Sequence, residues 1–272
     1  MLFRCFQGFT SAGTNLRCFQ ALWRWSKDRL PSRPHEGYTL DLDSTRLLHE
    51  DGHQEGVAVG YAKKGLKPCL HPLLAVIAEV RLVARLWLRP GNAACGNNAM
   101  AFFRNLSENL LRQVRLRGVR ADSRFGLPKL LSLLEELSLP YVVVAQLRQP
   151  MQMLLKVSLQ WQSTEVYASP AAVTHPAPGA REDEGRVGKR LLDVPGYRFR
   201  ALVTSLPAAT HSPLSVWRYY NGRADCENVI KELQEGFALP TLCPKDLWAT
   251  EAVLSLATLT HYLTVLFQRN LE

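Results

Sequence analysis

The chain has 272 residues, of which 47% are hydrophobic and 21% are charged, and its formal net charge is +9. This composition is ordinary for a globular protein that can bury a substantial core. The longest apolar stretches are interrupted by polar residues before they reach 18 residues, which argues against a membrane span. The positive charge favours a polyanionic partner, most commonly nucleic acid, although a basic protein without such a partner is the alternative.

The six cysteines are scattered and form no C-x-x-C pair, which argues against a zinc knuckle or a redox pair. Scattered cysteines in a chain of this length also do not indicate a secreted disulfide framework. The N-terminal sequence Met-Leu-Phe-Arg-Cys-Phe-Gln lacks the continuous apolar segment of a signal peptide. We therefore expect a protein of the reducing cytoplasm.

The first half of the chain alternates between strand-like and helix-like patterns. Such an order predicts an α/β sheet, because parallel strands need a crossover helix between them. In chain order, the patterns predict a helix over 14–30, strands over 38–42 and 57–61, a mostly extended stretch over 73–88, a helix over 97–112, a strand over 116–121, a helix over 127–137 and a strand over 141–145.

The second half begins with a segment of different character. Residues 151–212 contain alternating patterns at 157–166 and 197–204 that are typical of antiparallel strands. Between them, 168–188 is rich in Ala, Pro, Gly and charged residues and is interpreted as a flexible loop. Two helices are then predicted, over 213–237 and 246–269.

Two aspartates stand where predicted strands end. Asp43 follows the first strand and Asp122 follows the strand at 116–121. Ligand sites of an open α/β sheet lie at the carboxyl ends of its strands, so these two side chains could share one metal ion. The alternative for each is a turn former or a helix N-cap.

A third acid lies in the helix predicted over 213–237. If this helix is continuous, five side chains share a stripe of about 80°. An ordinary solvated face with an i,i+4 ion pair between Arg223 and Glu227 is the alternative. That alternative leaves the aromatic residue above the pair and the two strand-end aspartates unexplained. The stripe consists of Tyr220, Arg223, Glu227, Lys231 and Gln234.

These motifs together resemble the DDE transposases of bacterial insertion sequences, which move DNA by a cut-and-paste route. Tyr220, Arg223 and Glu227 have the spacing of the Y-x2-R-x3-E signature of that family. Asp43 in Asp-Ser-Thr and Asp122 in Ala-Asp-Ser resemble its two aspartate blocks. Gly-His-Gln-Glu-Gly at 52–56 and His-Pro-Leu-Leu at 71–74 also match, and the resemblance runs from about Leu30 to the C-terminus except for roughly 165–188.

The resemblance implies a ribonuclease H-like mixed sheet flanked by helices. Residues 37–150 would form the first part of this core, and the helices of 213–272 would complete it. A β-rich insertion would lie between the second aspartate and the glutamate, over 151–212. The helical segment of residues 1–36 would be the remnant of a longer DNA-binding region.

The resemblance also implies a catalytic site. Asp43, Asp122 and Glu227 would be catalytic residues that bind two Mg²⁺ ions, which Mn²⁺ can replace, because Mg²⁺ prefers oxygen ligands. The implied partners are DNA, as element ends and target, and a second copy of the chain, with no membrane and a nucleoid-associated location. The implied DNA-binding residues are Tyr220, Arg223, Lys231 and Gln234.

Three features depart from the family pattern. Gln234 stands where the signature usually has Lys, and Arg124 stands where a small residue is usual and could crowd the metal ions. Only 37 residues precede the first predicted strand. The alternative function is therefore a truncated, inactive remnant that binds DNA or inhibits an intact transposase.

A zinc protease is a further alternative, because residues His49, Glu50 and His53 match H-E-x-x-H. That motif binds zinc only on a helix, where both histidines share one face. Asp51-Gly52 in its middle is a turn signal, so we do not expect such a site.

Overall fold

The computed structural model describes residues 2–31, 36–49, 53–62, 65–93, 98–111, 114–145 and 201–271. Within them the strands are β1 (Tyr38–Ser44), β2 (Leu47–Leu48), β3 (Ala58–Ala62), β4 (Gly65–Leu70), β5 (Leu73–Ile77), β6 (Leu82–Trp87), β7 (Leu116–Ala121), β8 (Tyr141–Val144) and β9 (Leu202–Thr204). The α-helices are α1 (Ala12–Asp28), α2 (Ala99–Leu110), α3 (Pro128–Glu136), α4 (Pro213–Asn221), α5 (Ala224–Glu235) and α6 (Leu247–Arg269).

The centre of the fold is a six-stranded mixed sheet in the order β6-β5-β1-β7-β8-β9. Strand β5 is antiparallel to both of its neighbours, β6 and β1. Strands β1, β7 and β8 run parallel to one another, and β9 is antiparallel to β8. Helices cover both faces of this sheet. The predicted α/β mixed sheet flanked by helices is confirmed.

The side chains of β1 point alternately to the two faces of the sheet. Leu40 and Leu42 point into the core formed with α2 and α3, where Phe102 and Phe103 are also buried. Burial of each such side chain contributes about 1.5–3 kcal/mol. The opposite face carries the polar side chains of β1, and a second apolar cluster packs α5 and α6 over β5 and β6. Side-chain periodicity therefore places the polar residues of β1 beneath α4 and α5.

The N-terminal helical segment packs against α6. Ser11 caps α1 by accepting a hydrogen bond from the Thr14 backbone N–H at 3.1 Å. Phe19 and Trp23 are buried against α6. The Asn15 side chain also donates a hydrogen bond to the buried Glu251 carboxylate at 3.1 Å. This segment therefore shares a core with the C-terminal helix.

By length and composition, helix α6 is long and apolar enough to cross a membrane. However, 67% of its most apolar stretch is buried within the fold. Its contacts with α1, α5 and β6 account for that apolar character. Its bounds lie within one residue of the predicted helix at 246–269.

The helix predicted over 213–237 is wrong as a single element. The chain forms α4 and α5, separated by a turn at Gly222 and Arg223. In a continuous helix the Tyr219 carbonyl would accept a hydrogen bond from the Arg223 N–H. Instead that carbonyl accepts one from the side chain of Arg120 at 2.7 Å, and the Arg223 N–H donates to the Tyr220 carbonyl. The break between the two helices thus coincides with a contact from the side chain of a distant strand.

Two other regions differ from the sequence expectation. The stretch 73–88 contains β5 and β6, joined by a short 3-10 helix and by Arg81 in the left-handed conformation. Strand β4 was not predicted, because Pro68 lies in its middle and proline is unusual inside a sheet. It pairs with β2 and β3 in a separate three-stranded sheet.

Part of the pattern predicted within 151–212 falls in the described residues. Strand β9, part of the pattern predicted over 197–204, pairs with β8 in the main sheet. The pattern at 157–166 and the loop at 168–188 lie outside the described residues.

Candidate active site

Asp43 and Asp122 occupy neighbouring positions on parallel strands. In the register of β1 and β7, Asp41 pairs with Arg120 and Leu42 pairs with Ala121. The next position in this register sets Asp43 beside Asp122. Because side chains alternate along a strand, both carboxyl groups emerge on the face beneath α4 and α5.

Arg223 connects the third carboxylate to the first. Its Nη2 atom lies 2.6 Å from Asp43 Oδ2, and its Nη1 atom lies 2.9 Å from Glu227 Oε1. The Arg223 side chain is 8% exposed, whereas that of Glu227 is 65% exposed. One buried guanidinium thus joins a strand end to α5, and the outer carboxylate remains open to solvent.

The electrostatics of Asp43 reflect this crowding. Burial raises the pKa of Asp43 to about 6, although Arg223 and the Ser44 backbone N–H act to lower it. The negative charges of Asp122 and Glu227 act in the same direction as burial. The three carboxylates are therefore near enough to repel one another, which is the situation that a bound cation relieves.

Asp122 has a basic neighbour in Arg124. The Arg124 backbone N–H donates to Asp122 Oδ1 at 2.9 Å, and its Nε atom lies 3.9 Å from Asp122 Oδ2. The Arg124 side chain is 45% exposed, so it lies at the solvent side of the pair. The residue that departs from the family pattern therefore lies directly against this carboxylate.

The carboxylates of Asp43, Asp122 and Glu227 are not arranged as a metal site in this structure. Among the described residues, no three acidic, histidine or cysteine side chains are grouped closely enough to hold an ion. The reason lies in Arg223, which occupies the position between Asp43 and Glu227. The donor chemistry nevertheless fits Mg²⁺, which prefers carboxylate oxygens.

The predicted DNA-binding residues occupy different environments, because the break before Ala224 ends the shared stripe. Tyr220 is 6% exposed and packs against Val142 and Val216, so its ring is not presented to DNA. Arg223 is turned inward, as described above. Gln234 donates hydrogen bonds to the Thr45 hydroxyl at 2.7 Å and to the Arg46 carbonyl at 3.2 Å. It therefore connects α5 to the loop that follows Asp43.

Lys231 is exposed and lies 4.0 Å from Glu235, one turn further along α5. Both side chains are about two-thirds exposed, and such surface pairs contribute up to about 1 kcal/mol. Lys231 is thus accessible to a polyanion.

The sequence reasoning missed a buried ion pair beneath the catalytic candidates. Arg120 Nε and Nη2 donate to the two carboxylate oxygens of Asp41 at 2.6 and 2.8 Å. Asp41 is fully buried, and the Arg120 side chain is 6% exposed. Each residue stands two positions before one of the two aspartates. The period of two along a strand is the signal that could have found them.

The zinc protease alternative finds no support in this region. His49 follows strand β2, and its backbone N–H donates to the Pro68 carbonyl as in a sheet. Neither His49 nor His53 lies in a helix, which is the element that the zinc motif requires.

His71 lies between β4 and β5, and its protonation is expected to make the stability of the fold depend on pH. It is fully buried, and its Nδ1 atom donates to the Ala93 carbonyl at 2.9 Å. Burial lowers the pKa of His71 to about 4, and the positive charges of Arg46, Arg89 and Arg124 add to this effect while the Ala93 hydrogen bond opposes it.

Acid is therefore expected to destabilise the fold through this group. The unfolded chain takes up the proton near pH 6.5 and the folded chain only near pH 4, so stability is present above pH 6.5 and is lost as pH falls to 4. The loss is about 3 kcal/mol. Urea unfolding of the wild type and His71→Asn at pH 7 and pH 4.5 measures it, and an equal pH dependence in both proteins would contradict the assignment.

Comparison with known protein families identifies the family of the chain. The family described as "Transposase DDE domain group 1" matches residues 5–271. The chain belongs to this transposase family. Comparison with curated proteins gave no match. The predicted membership of the DDE transposases is therefore confirmed over nearly the whole chain.

Among solved structures, this transposase domain is similar to a piggyBac transposase, determined by cryo-electron microscopy in a synaptic complex with hairpin DNA. The TM-score is 0.46 at 12% sequence identity. The match covers 92% of this chain, which spans 52% of the length of that protein.

Proposed function

We propose that the chain is a transposase that cleaves and joins phosphodiester bonds at the ends of an insertion sequence, with Asp43, Asp122 and Glu227 as metal ligands. One observation carries this proposal. Asp43 and Asp122 are adjacent in the strand register, and Arg223 links Asp43 to Glu227 on the helix above them. In a DDE transposase domain, three carboxylates brought together in this way are the expected catalytic group.

Two Mg²⁺ ions, or Mn²⁺ in their place, would activate the attacking oxygen and stabilise the leaving oxygen. Asp43 would be the shared inner ligand, because it lies deepest in the site. Asp122 and Glu227 would complete the two ligand sets from the solvent side, where DNA can approach. Arg223, once released by Glu227, would remain beside Asp43 as a positive charge that neutralises a phosphate near the cut.

The partner we propose is DNA, both as element ends and as target. The net charge of +9 supplies a sequence-independent attraction that weakens as salt rises. Exposed Lys231 is the one predicted contact on α5 that is available for it. A second copy of the chain would join the active complex, because the two ends of an element must be cut together.

Cleavage is expected to depend on both a divalent cation and Asp122. The purified chain, mixed with Mg²⁺ and DNA that flanks its own coding sequence, should nick one strand, and Asp122→Asn should reduce the rate by about 100-fold or more. The reason is that metal stabilisation of charge in the transition state is worth several kcal/mol. Gel analysis of end-labelled DNA measures the product.

The matched control is Asp28→Asn, which alters an exposed aspartate on α1. It should cleave like the wild type. Equal nicking by the wild type and Asp122→Asn would contradict the assignment of Asp122. Binding of the DNA by the wild type without any metal-dependent nicking would contradict the enzymatic proposal and identify a DNA-binding remnant.

A further inference from the structure

Asp41 and Arg120 form a buried ion pair one step beneath the catalytic candidates. They are register partners on β1 and β7, and both oxygens of Asp41 accept hydrogen bonds from Arg120. This bidentate geometry fixes the plane of the guanidinium group. Because Asp43 and Asp122 follow two positions later on the same face, the pair lies directly below them.

The remaining guanidinium nitrogen of Arg120 contacts the helical layer. Its Nη1 atom donates to the Tyr219 carbonyl at 2.7 Å, and this carbonyl is the acceptor that the Arg223 N–H would use in a continuous helix. The Arg223 N–H donates instead to the Tyr220 carbonyl at 2.9 Å, so the chain tightens at this point. Helix α5 then starts anew at Ala224. The direction of Arg223 and Glu227 is thus set by Arg120.

Gly222 leaves the space that this contact needs. A Cβ atom built on Gly222 would lie 2.4 Å from Arg120 Nη1, closer than any real contact of this kind. The Tyr219 ring also covers Arg120, with 5.3 Å between the guanidinium carbon and the ring centroid. Arg120 is therefore enclosed by Asp41 below, by Tyr219 above and by Gly222 at the turn.

Such a pair is not needed for stability. Desolvation of two buried charges offsets most of their attraction, and apolar residues of similar volume serve as well or better. What apolar residues cannot do is capture the Tyr219 carbonyl. We propose that Asp41 and Arg120 are positioning residues, which hold the turn between α4 and α5 so that Arg223 and Glu227 stand over Asp43. This inference rests on the proposed function, because it assigns a role in the same site.

The first test needs no catalysis. In the double variant Asp41→Asn/Arg120→Met neither partner is left as an unpaired buried charge, so the chain is expected to fold. Its crystal structure should show the Arg223 N–H bonded to the Tyr219 carbonyl and one helix running through Gly222. If the break at Gly222 and Arg223 persists unchanged, Arg120 does not cause it and the inference is overturned.

The second test separates positioning from simple loss of stability. Arg120→Lys keeps a charge beside Asp41 but cannot make the two parallel bonds and the third bond to Tyr219. We expect kcat for DNA nicking to fall by about 10- to 100-fold with KM for DNA within about twofold, because small misplacements of catalytic groups are costly. The matched variant is Arg85→Lys, on β6 away from the turn, which should keep kcat.

The outcomes distinguish this inference from the proposed function. If Arg120→Lys and Arg85→Lys have equal kcat values under conditions where both are fully folded, the positioning role is wrong while transposase activity stands. If the wild type itself shows no metal-dependent nicking, the proposed function fails. The structure of the double variant still decides whether Arg120 sets the turn.

Discussion

Replacement of Arg223 by alanine is expected to lower the free energy of unfolding by about 3–5 kcal/mol at pH 8, because loss of one partner leaves a buried charge uncompensated. Asp43 is 8% exposed and has Arg223 as its nearest cation, at 2.6 Å. The pKa of Asp43 is already raised to about 6 by burial, and it should rise further without the guanidinium. The loss should therefore shrink as pH falls toward 6, because Asp43 takes up a proton at a higher pH in the variant than in the wild type.

Urea unfolding at pH 8 and pH 5 measures both the size and the pH dependence of this effect. The matched control is Arg218→Ala, an exposed arginine on α4, which should change the unfolding free energy by less than about 1 kcal/mol at either pH. A loss in Arg223→Ala that is small, or equal at the two pH values, would show that Arg223 is not the counterion of Asp43.

Gly222→Ala is expected to impair both folding and cleavage. Its new methyl group would lie 2.4 Å from Arg120 Nη1, and Arg120 cannot move aside because Asp41 holds it by two hydrogen bonds. Overpacking of this kind costs about 1–3 kcal/mol. Displacement of the turn should also shift Glu227, so kcat for nicking should fall by about 100-fold.

The same substitution at Gly13 is the control. A Cβ atom there would have no neighbour nearer than 3.6 Å, and alanine favours the helix more than glycine does. Gly13→Ala should therefore keep the wild-type kcat and unfold at an equal or higher urea concentration. If Gly222→Ala behaves like Gly13→Ala, the turn tolerates a side chain and the close approach of Arg120 is not a constraint.

Most of the main sheet could be predicted from local patterns. Strand β8 is an apolar run between breakers, and α2, α3 and α6 carry apolar residues at helical spacing, so burial and periodicity point to one structure. Strand β4 could not be predicted, because Pro68 in its middle argues against a strand. Its place in a sheet follows only from its pairing with β2 on one side and β3 on the other. Strand β9 lies within the pattern predicted over 197–204, but its pairing with β8 in the main sheet left no local signal.

The candidate site was predictable in part. Asp43 and Asp122 could be placed side by side because both end strands that point the same way. The positions of Tyr220 and Arg223 could not be predicted. The helical periodicity assumed one continuous helix, whereas the chain turns at Gly222 and Arg223, where the side chain of Arg120 from another strand donates to the Tyr219 carbonyl. A contact between positions almost 100 residues apart leaves no local pattern, so the inward turn of Arg223 was visible only in three dimensions.

The central claim is that three carboxylates converge on one divalent-cation site, and titration with Mn²⁺ followed by its electron paramagnetic resonance signal tests it most directly. Asp43→Asn, Asp122→Asn and Glu227→Gln should each weaken binding by at least about tenfold, whereas Asp225→Asn, on the same helix as Glu227, should bind like the wild type. Equal affinity in all five proteins, or no binding by the wild type, would contradict the account.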